Sequence, residues 1–287
     1  MRYEIRRNTA AKHSVLTITK DEFESIQDSR DMLLRILVIE QRYDILVGNY
    51  LELERQIFHC NSEYVVHPSF DQSQFTSATT LIDRSLGNLL SSARSFIDQA
   101  KNGADPDDLK LINQYFADEY DSSLAYRTME ALRNYSQHCG LPTQALHYTG
   151  SWRDIEDVDK SRLVQSVVPA LSTETLRREK TFKATVLAEL EARQLERHPI
   201  MPLLREYLGA LSHALAHIRE LYSDRQSEWL AGMQRPASRY CKFDGNSLGT
   251  GVVAVARTEE GSVEAEMHLL SDIGKNLKPC NKVTGPW

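Results

Sequence analysis

The stretch Leu132-Arg133-Asn134-Tyr135-Ser136-Gln137-His138-Cys139-Gly140-Leu141-Pro142 closes a helical pattern, and the reading of everything before it depends on that stop. Gly140 tolerates a left-handed cap and Pro142 cannot continue a helical hydrogen-bond ladder, so the helix ends here. Just upstream stand Arg133, Asn134 and His138. Asn134 and His138 are one turn apart and share a helix face. Arg133 lies roughly 140° around the axis from His138 by the 3.6-residue period. Its long side chain can still curl toward the imidazole, and its planar fork matches phosphate oxygens. A titratable ring beside a permanent cation suits phosphodiester chemistry.

Upstream of this stop the spacing predicts three more helices. Thr19 with Glu22 reads as a capping box opening a long one. Its apolar stripe is Ile36, Ile39, Tyr43, Leu46, Tyr50, Leu53 and Ile57, ended by His67-Pro68. A second helix from about Asp71 carries Ile82, Leu86, Leu89, Ala93, Phe96 and Ala100 and stops at Asn102-Gly103. Asp105-Pro106 opens a third, short helix to about Ala117, with Asp as cap and Pro at the first helical position. The fourth runs from near Asp121 through Leu124, Met129, Leu132 and Tyr135 to His138. Long helices joined by brief turns predict an antiparallel four-helix bundle.

The flanks differ in texture. In residues 1–18, Met1, Tyr3 and Ile5 alternate with charged residues before Val15-Leu16-Thr17-Ile18, which predicts one or two strands. After Pro142, Ala145 to Trp152 and Leu163 to Val168 read as strands around an acidic turn. Two helices follow, Thr173 to about Arg197 and Pro202 to about Met233. Val252 to Ala256 and Val263 to Met267 flank Glu259-Glu260-Gly261-Ser262, a hairpin signal. The fold expected is mainly α: a four-helix bundle plus an α+β C-terminal half with two helices and a β-hairpin. Its segments are 1–20, 21–148 and 149–287.

Bulk properties bound the function. A net charge of −6 gives no global basic field, so any RNA must meet a local patch. Cys60, Cys139, Cys241 and Cys280 are far apart, which signals neither a zinc site nor a disulfide framework. With no membrane-length apolar run and no signal-peptide pattern, a cytoplasmic chain without membrane association is expected. No Walker A, GxSxG or complete GxGxxG occurs, and no cofactor is implied.

An Arg, a polar residue, three residues and a His, late in the last helix of a four-helix bundle, resemble the HEPN superfamily (the higher eukaryotes and prokaryotes nucleotide-binding domain). The resemblance covers roughly residues 21–148, and Arg133-Asn134-x-x-x-His138 is its specific part. It implies a metal-independent endoribonuclease. Arg133 would contact phosphate and stabilise transition-state charge, His138 would transfer protons, and Asn134 would orient them. It also implies bacterial defence, as against phage, or a toxin–antitoxin-like system, with RNA and an antitoxin or regulatory protein as partners. Because one imidazole does not easily serve both proton transfers, a homodimer with a shared site is expected. Tyr135, His147 and Arg127 are candidates for substrate contact, Tyr135 by stacking a base; Tyr148 stands beside them.

Two other readings stand alongside. Some family members only bind or scaffold, so the alternative is a non-catalytic module for dimerisation and for nucleotide or partner binding. His213, His217 and Glu220, spaced by four and three on one helix, offer a metal-dependent hydrolase, although Ala214 excludes the HExxH form. A second Arg–His pair, Arg193 and His198, has the same spacing as Arg133 and His138.

Overall fold

The computed structural model describes residues 1–9, 13–67, 72–138, 145–153, 162–178, 181–246 and 251–269. In chain order the elements are β1 (Arg2–Arg7), β2 (Leu16–Ile18), α1 (Lys20–Val66), α2 (Gln72–Lys101), α3 (Pro106–Ser122) and α4 (Leu124–His138). There follow β3 (Ala145–Arg153), β4 (Arg162–Ser172), α5 (Thr173–Arg178), α6 (Ala184–Ala192), β5 (Arg197–Pro199), α7 (Ile200–Asp244), β6 (Val252–Arg257) and β7 (Val263–His268). The fold is mainly helical with small antiparallel sheets, as the periodicities predict.

Contacts group the described residues into two compact units: those of 1–41 with 218–269, and those of 42–217. The residues after Leu269 lie outside the described ones. This grouping does not follow consecutive segments, because α1 and α7 each contribute to both units.

The first unit holds a four-stranded sheet of order β2-β1-β6-β7, antiparallel throughout. β6 is buried along most of its length, from Val252 to Ala256, so the expected hairpin forms but its first strand is a central one. Arg7 Nε donates to Asp244 Oδ2 at 2.8 Å, fixing β1 to the end of α7. Arg219 binds Glu40 with two parallel hydrogen bonds, 2.7 and 2.6 Å, between α7 and α1. The capping box forms in part: the Glu22 N–H donates to Thr19 Oγ1 at 3.2 Å.

The second unit contains the C-terminal part of α1, all of α2, α3 and α4, and the first part of α7. Every residue of the two predicted stripes on α1 and α2 is buried. Phe96 of α2 meets Tyr43 of α1 and Phe116 of α3 edge-on, with ring centroids 5.4 and 6.0 Å apart. A fifth helix, α7, joins these four: Arg205 donates to Glu54 and Tyr50 of α1, and Tyr207 packs edge-on to Tyr126 of α4. A three-stranded sheet, order β3-β4-β5, completes the unit.

Three sequence expectations are corrected. The helix expected over Thr173 to Arg197 divides into α5 and α6 and gives way to β5, which pairs with β4 through Leu171 and His198. The third helix runs on to Ser122. The last long helix continues through Pro236 to Asp244, held there by the buried Met233, Ala237 and Tyr240.

Candidate functional site

Helix α4 starts where Ser123 breaks the chain between two helices. The Tyr126 N–H donates to Ser123 Oγ at 3.1 Å, an N-cap, and Ser123 Oγ donates to Glu206 Oε1 at 2.7 Å. The stripe Ala125, Tyr126, Met129, Leu132 and Tyr135 turns to the core. By helical spacing this leaves Glu130, Arg133, Asn134 and Gln137 on the other side.

Arg133 is half-buried. Its Nη1 donates to Asn134 Oδ1 at 3.2 Å, while its buried Nε has no hydrogen-bond partner among the described residues. It lines an open groove of about 720 Å³ between α4 and the end of α2, together with Gln137, Arg94, Asp98, Lys101 and Asn102. Arg94 is ion-paired with Asp98, its Nη2 lying 2.8 Å from Oδ1. Lys101 Nζ sits 5.4 Å from the centre of the Phe116 ring. Burial and then the Arg94 charge push the Lys101 ammonium below its usual range, against the opposing pull of Asp98 and Glu130.

Next to this groove the Tyr207 hydroxyl donates to Glu130 Oε1 at 2.6 Å. Burial, reinforced by the Glu130 charge, drives the Tyr207 phenol well above its ordinary value, so it is a fixed donor. Glu130 is thereby held in place while it faces the charge of Lys101.

The predicted residues separate sharply. Arg133 and Asn134 are in contact. His138 is the last residue of α4, one turn beyond Asn134, and its side chain lies outside the described residues. Cys139 to Pro142 also lie outside them. Tyr135 is 4% exposed, so the expected base-stacking role is corrected: its ring is packed in the core.

Arg127 is corrected too. Its Nη1 donates to the carbonyls of Tyr120 and Asp121 at 2.9 and 2.7 Å, and Nη2 to Glu189 Oε2 at 2.6 Å. It satisfies the open carbonyls at the end of α3 and ties α4 to α6.

His147 belongs to β3, where its Nδ1 lies 3.2 Å from Arg197 Nη1. Burial and the Arg197 charge lower its pKa, and its Nε2 is buried with no hydrogen-bond partner among the described residues. Tyr148 packs against Tyr64 and Phe75, with centroids 4.9 and 5.6 Å away. Burial pushes its phenol up to about 12.

The metal alternative does not assemble. Among the described residues, no group of three or more His, Cys, Asp or Glu side chains is placed to hold a metal ion. His213 Nδ1 lies 3.6 Å from Glu119 Oε1, His217 stacks on Tyr115 at 5.0 Å, and Glu220 is exposed. The second Arg–His pair is structural. His198 is 2% exposed in β5, and burial followed by the Arg193 charge depresses its pKa.

Sequence reasoning missed Arg94, Lys101, Glu130 and Tyr207. The one available signal was the seven-residue spacing of Arg94 and Lys101, which puts both cations on one face of α2 just before the Asn102-Gly103 stop. No family model, no curated protein and no solved structure matches the chain.

Proposed function

We propose that this chain is a metal-independent endoribonuclease of HEPN type. The observation that carries this reading is Arg133: a half-buried guanidinium on α4, bonded to Asn134 and opening on a groove with two further cations. In the proposed reaction a base removes the 2′-hydroxyl proton and the 2′-oxygen attacks the adjacent phosphorus. The bond from phosphorus to the 5′-oxygen breaks, and an acid returns a proton to that oxygen. The products are a 2′,3′-cyclic phosphate and a 5′-hydroxyl. Arg133 stabilises the charge on the phosphorane, His138 carries the protons, and Asn134 holds the arginine fork.

Two proton transfers call for two imidazoles, so the reading includes a homodimer in which each copy lends one His138 and one Arg133 to a shared cleft. Bacterial defence or a toxin–antitoxin-like setting, in the cytoplasm and with a regulatory partner, belongs to the same proposal and rests on the sequence resemblance. Among the described residues no helix is long and apolar enough to cross a membrane.

The test is cleavage of total RNA with and without EDTA by the wild type, Arg133→Ala and His138→Ala. The reading expects EDTA-insensitive cleavage with cyclic-phosphate ends, reduced about 100-fold or more in each variant. Cleavage that persists in His138→Ala, or that EDTA abolishes, overturns it. RNA binding without cleavage favours the non-catalytic module, for which the same groove would serve.

A further inference from the structure

We propose that the last two turns of α2, with Arg133 and Gln137 of α4, form a track for the phosphodiester backbone of single-stranded RNA. In it Arg94 and Lys101 hold phosphates neighbouring the one bound by Arg133. The identity of the strand as RNA rests on the ribonuclease reading; the preference for a chain of phosphates does not.

Charge is the first argument. The groove is lined by three cations and one carboxylate, Asp98, and that carboxylate is already bonded to Arg94. Among the described residues neither Lys101 nor Arg133 has an ion-pair partner, and the hydrogen bond of the Arg133 guanidinium goes to the neutral amide of Asn134. Glu130, held by Tyr207, lies near Lys101 outside the lining, so cations still exceed carboxylates here by three to two. Two of these cations are also partly desolvated: Arg133 is half-buried, and Lys101 is buried enough to weaken its hold on its proton. An arriving phosphate relieves the repulsion between Lys101 and Arg94 and is screened less than at a bare surface.

Shape is the second argument. Arg94 and Lys101 are two turns apart, about 10 Å along the axis at 1.5 Å per residue. From Ser91 to Asn102 the lining of α2 spans about 16 Å by the same rise. A single phosphate ion would leave most of that length unused, whereas an extended strand presents a charge at each step along it. Composition points the same way. The remaining lining is made of amides, hydroxyls and one leucine, with no aromatic ring on which a base could stack. The track therefore reads backbone and not bases, and gives register without sequence preference.

Binding separates from cleavage with a 2′-O-methyl oligouridylate of about 12 nucleotides, which lacks the attacking hydroxyl. Its affinity is measured by fluorescence anisotropy across a salt series, and circular dichroism checks that each variant is folded. Lys101→Met is expected to weaken binding about five- to tenfold and to flatten the slope of log affinity against log salt by about 0.7. Asp98→Asn, which removes only the competing carboxylate, is expected to tighten binding about two- to threefold. A merely structural role for Asp98 would not produce that gain.

Three outcomes overturn the track. They are no binding by the wild type, a salt slope unchanged in Lys101→Met, or inorganic phosphate competing at a concentration equal to that of the oligonucleotide phosphates. If the oligonucleotide binds as expected and natural RNA stays intact, the track stands and the nuclease reading fails. If natural RNA is cut with the same KM by wild type and Lys101→Met, the nuclease reading stands and the track fails.

Discussion

Helix α4 carries two arginines, and they are used in opposite ways. Arg127, in its first turn, gives its fork to two carbonyls of α3 and one carboxylate of α6. Arg133, a turn and a half later, has one bond to the amide beside it and faces the groove. Spacing and residue type do not distinguish them. The difference lies in what the neighbouring elements supply: α3 ends in open carbonyls next to Arg127, while the end of α2 brings more positive charge toward Arg133. An arginine saturated by its own fold is scaffold, and one left with a single amide bond beside other cations is available to an anion.

The pair Arg219 and Glu40 in the other unit is the extreme form of the first case, and it should show the largest effect. The Glu40 side chain is 10% exposed and that of Arg219 30%. Arg219→Met leaves the carboxylate without its partner and should cost about 3 kcal/mol in urea denaturation, the lower end for a broken buried pair. A loss under about 1 kcal/mol would put this pair among ordinary surface ion pairs.

The contrast within α4 gives the next largest effect. Arg127→Ala should lower stability by about 2 kcal/mol through its lost charged hydrogen bonds and, on the proposed nuclease reading, spare RNA cleavage. Arg133→Ala should leave stability within about 0.5 kcal/mol and, on the proposed nuclease reading, reduce cleavage about 100-fold or more. If both variants lose stability equally, the distinction between the two arginines collapses.

The smallest effect concerns pH. Burial holds the pKa of His198 below its usual 6.5, so the unfolded chain binds its proton more readily than the folded one does. Its contribution to stability is complete above pH 6.5 and is lost as pH falls through the lowered folded value. His147 acts in the same direction. Thermal melts from pH 7.5 down to 5 should show a declining Tm, and His198→Phe should reduce the slope without removing it. An unchanged slope would mean that His198 is not held neutral in the fold.

Much of the helical architecture was legible because apolar residues recur at three and four along α1, α2 and α7, and each such stripe is mostly buried. The break after α6 was not legible. Gln194 adopts a φ of 56° there, a conformation normally signalled by Gly or Asn, and β5 is specified by pairing with β4 instead of by its own residues. The site was half legible for a similar reason. Arg133 and Asn134 sit together on one helix, whereas Arg94, Lys101 and Tyr207 come from α2 and α7, and only packing brings them to that helix. Tyr135 and Arg127 misled because residue type near a catalytic pattern carries no information about which way a side chain is committed.

The pairing of Arg7 with Val252 has a bearing on how the molecule is made. On a ribosome adding about 5–20 residues per second, the roughly 245 residues between these two strands take on the order of 10–50 s to appear. Throughout that interval β1 has no access to the strand that buries it. The nascent chain must therefore carry one open edge of β1 while its helices already form, and that edge is open to chaperones and to wrong partners until β6 arrives.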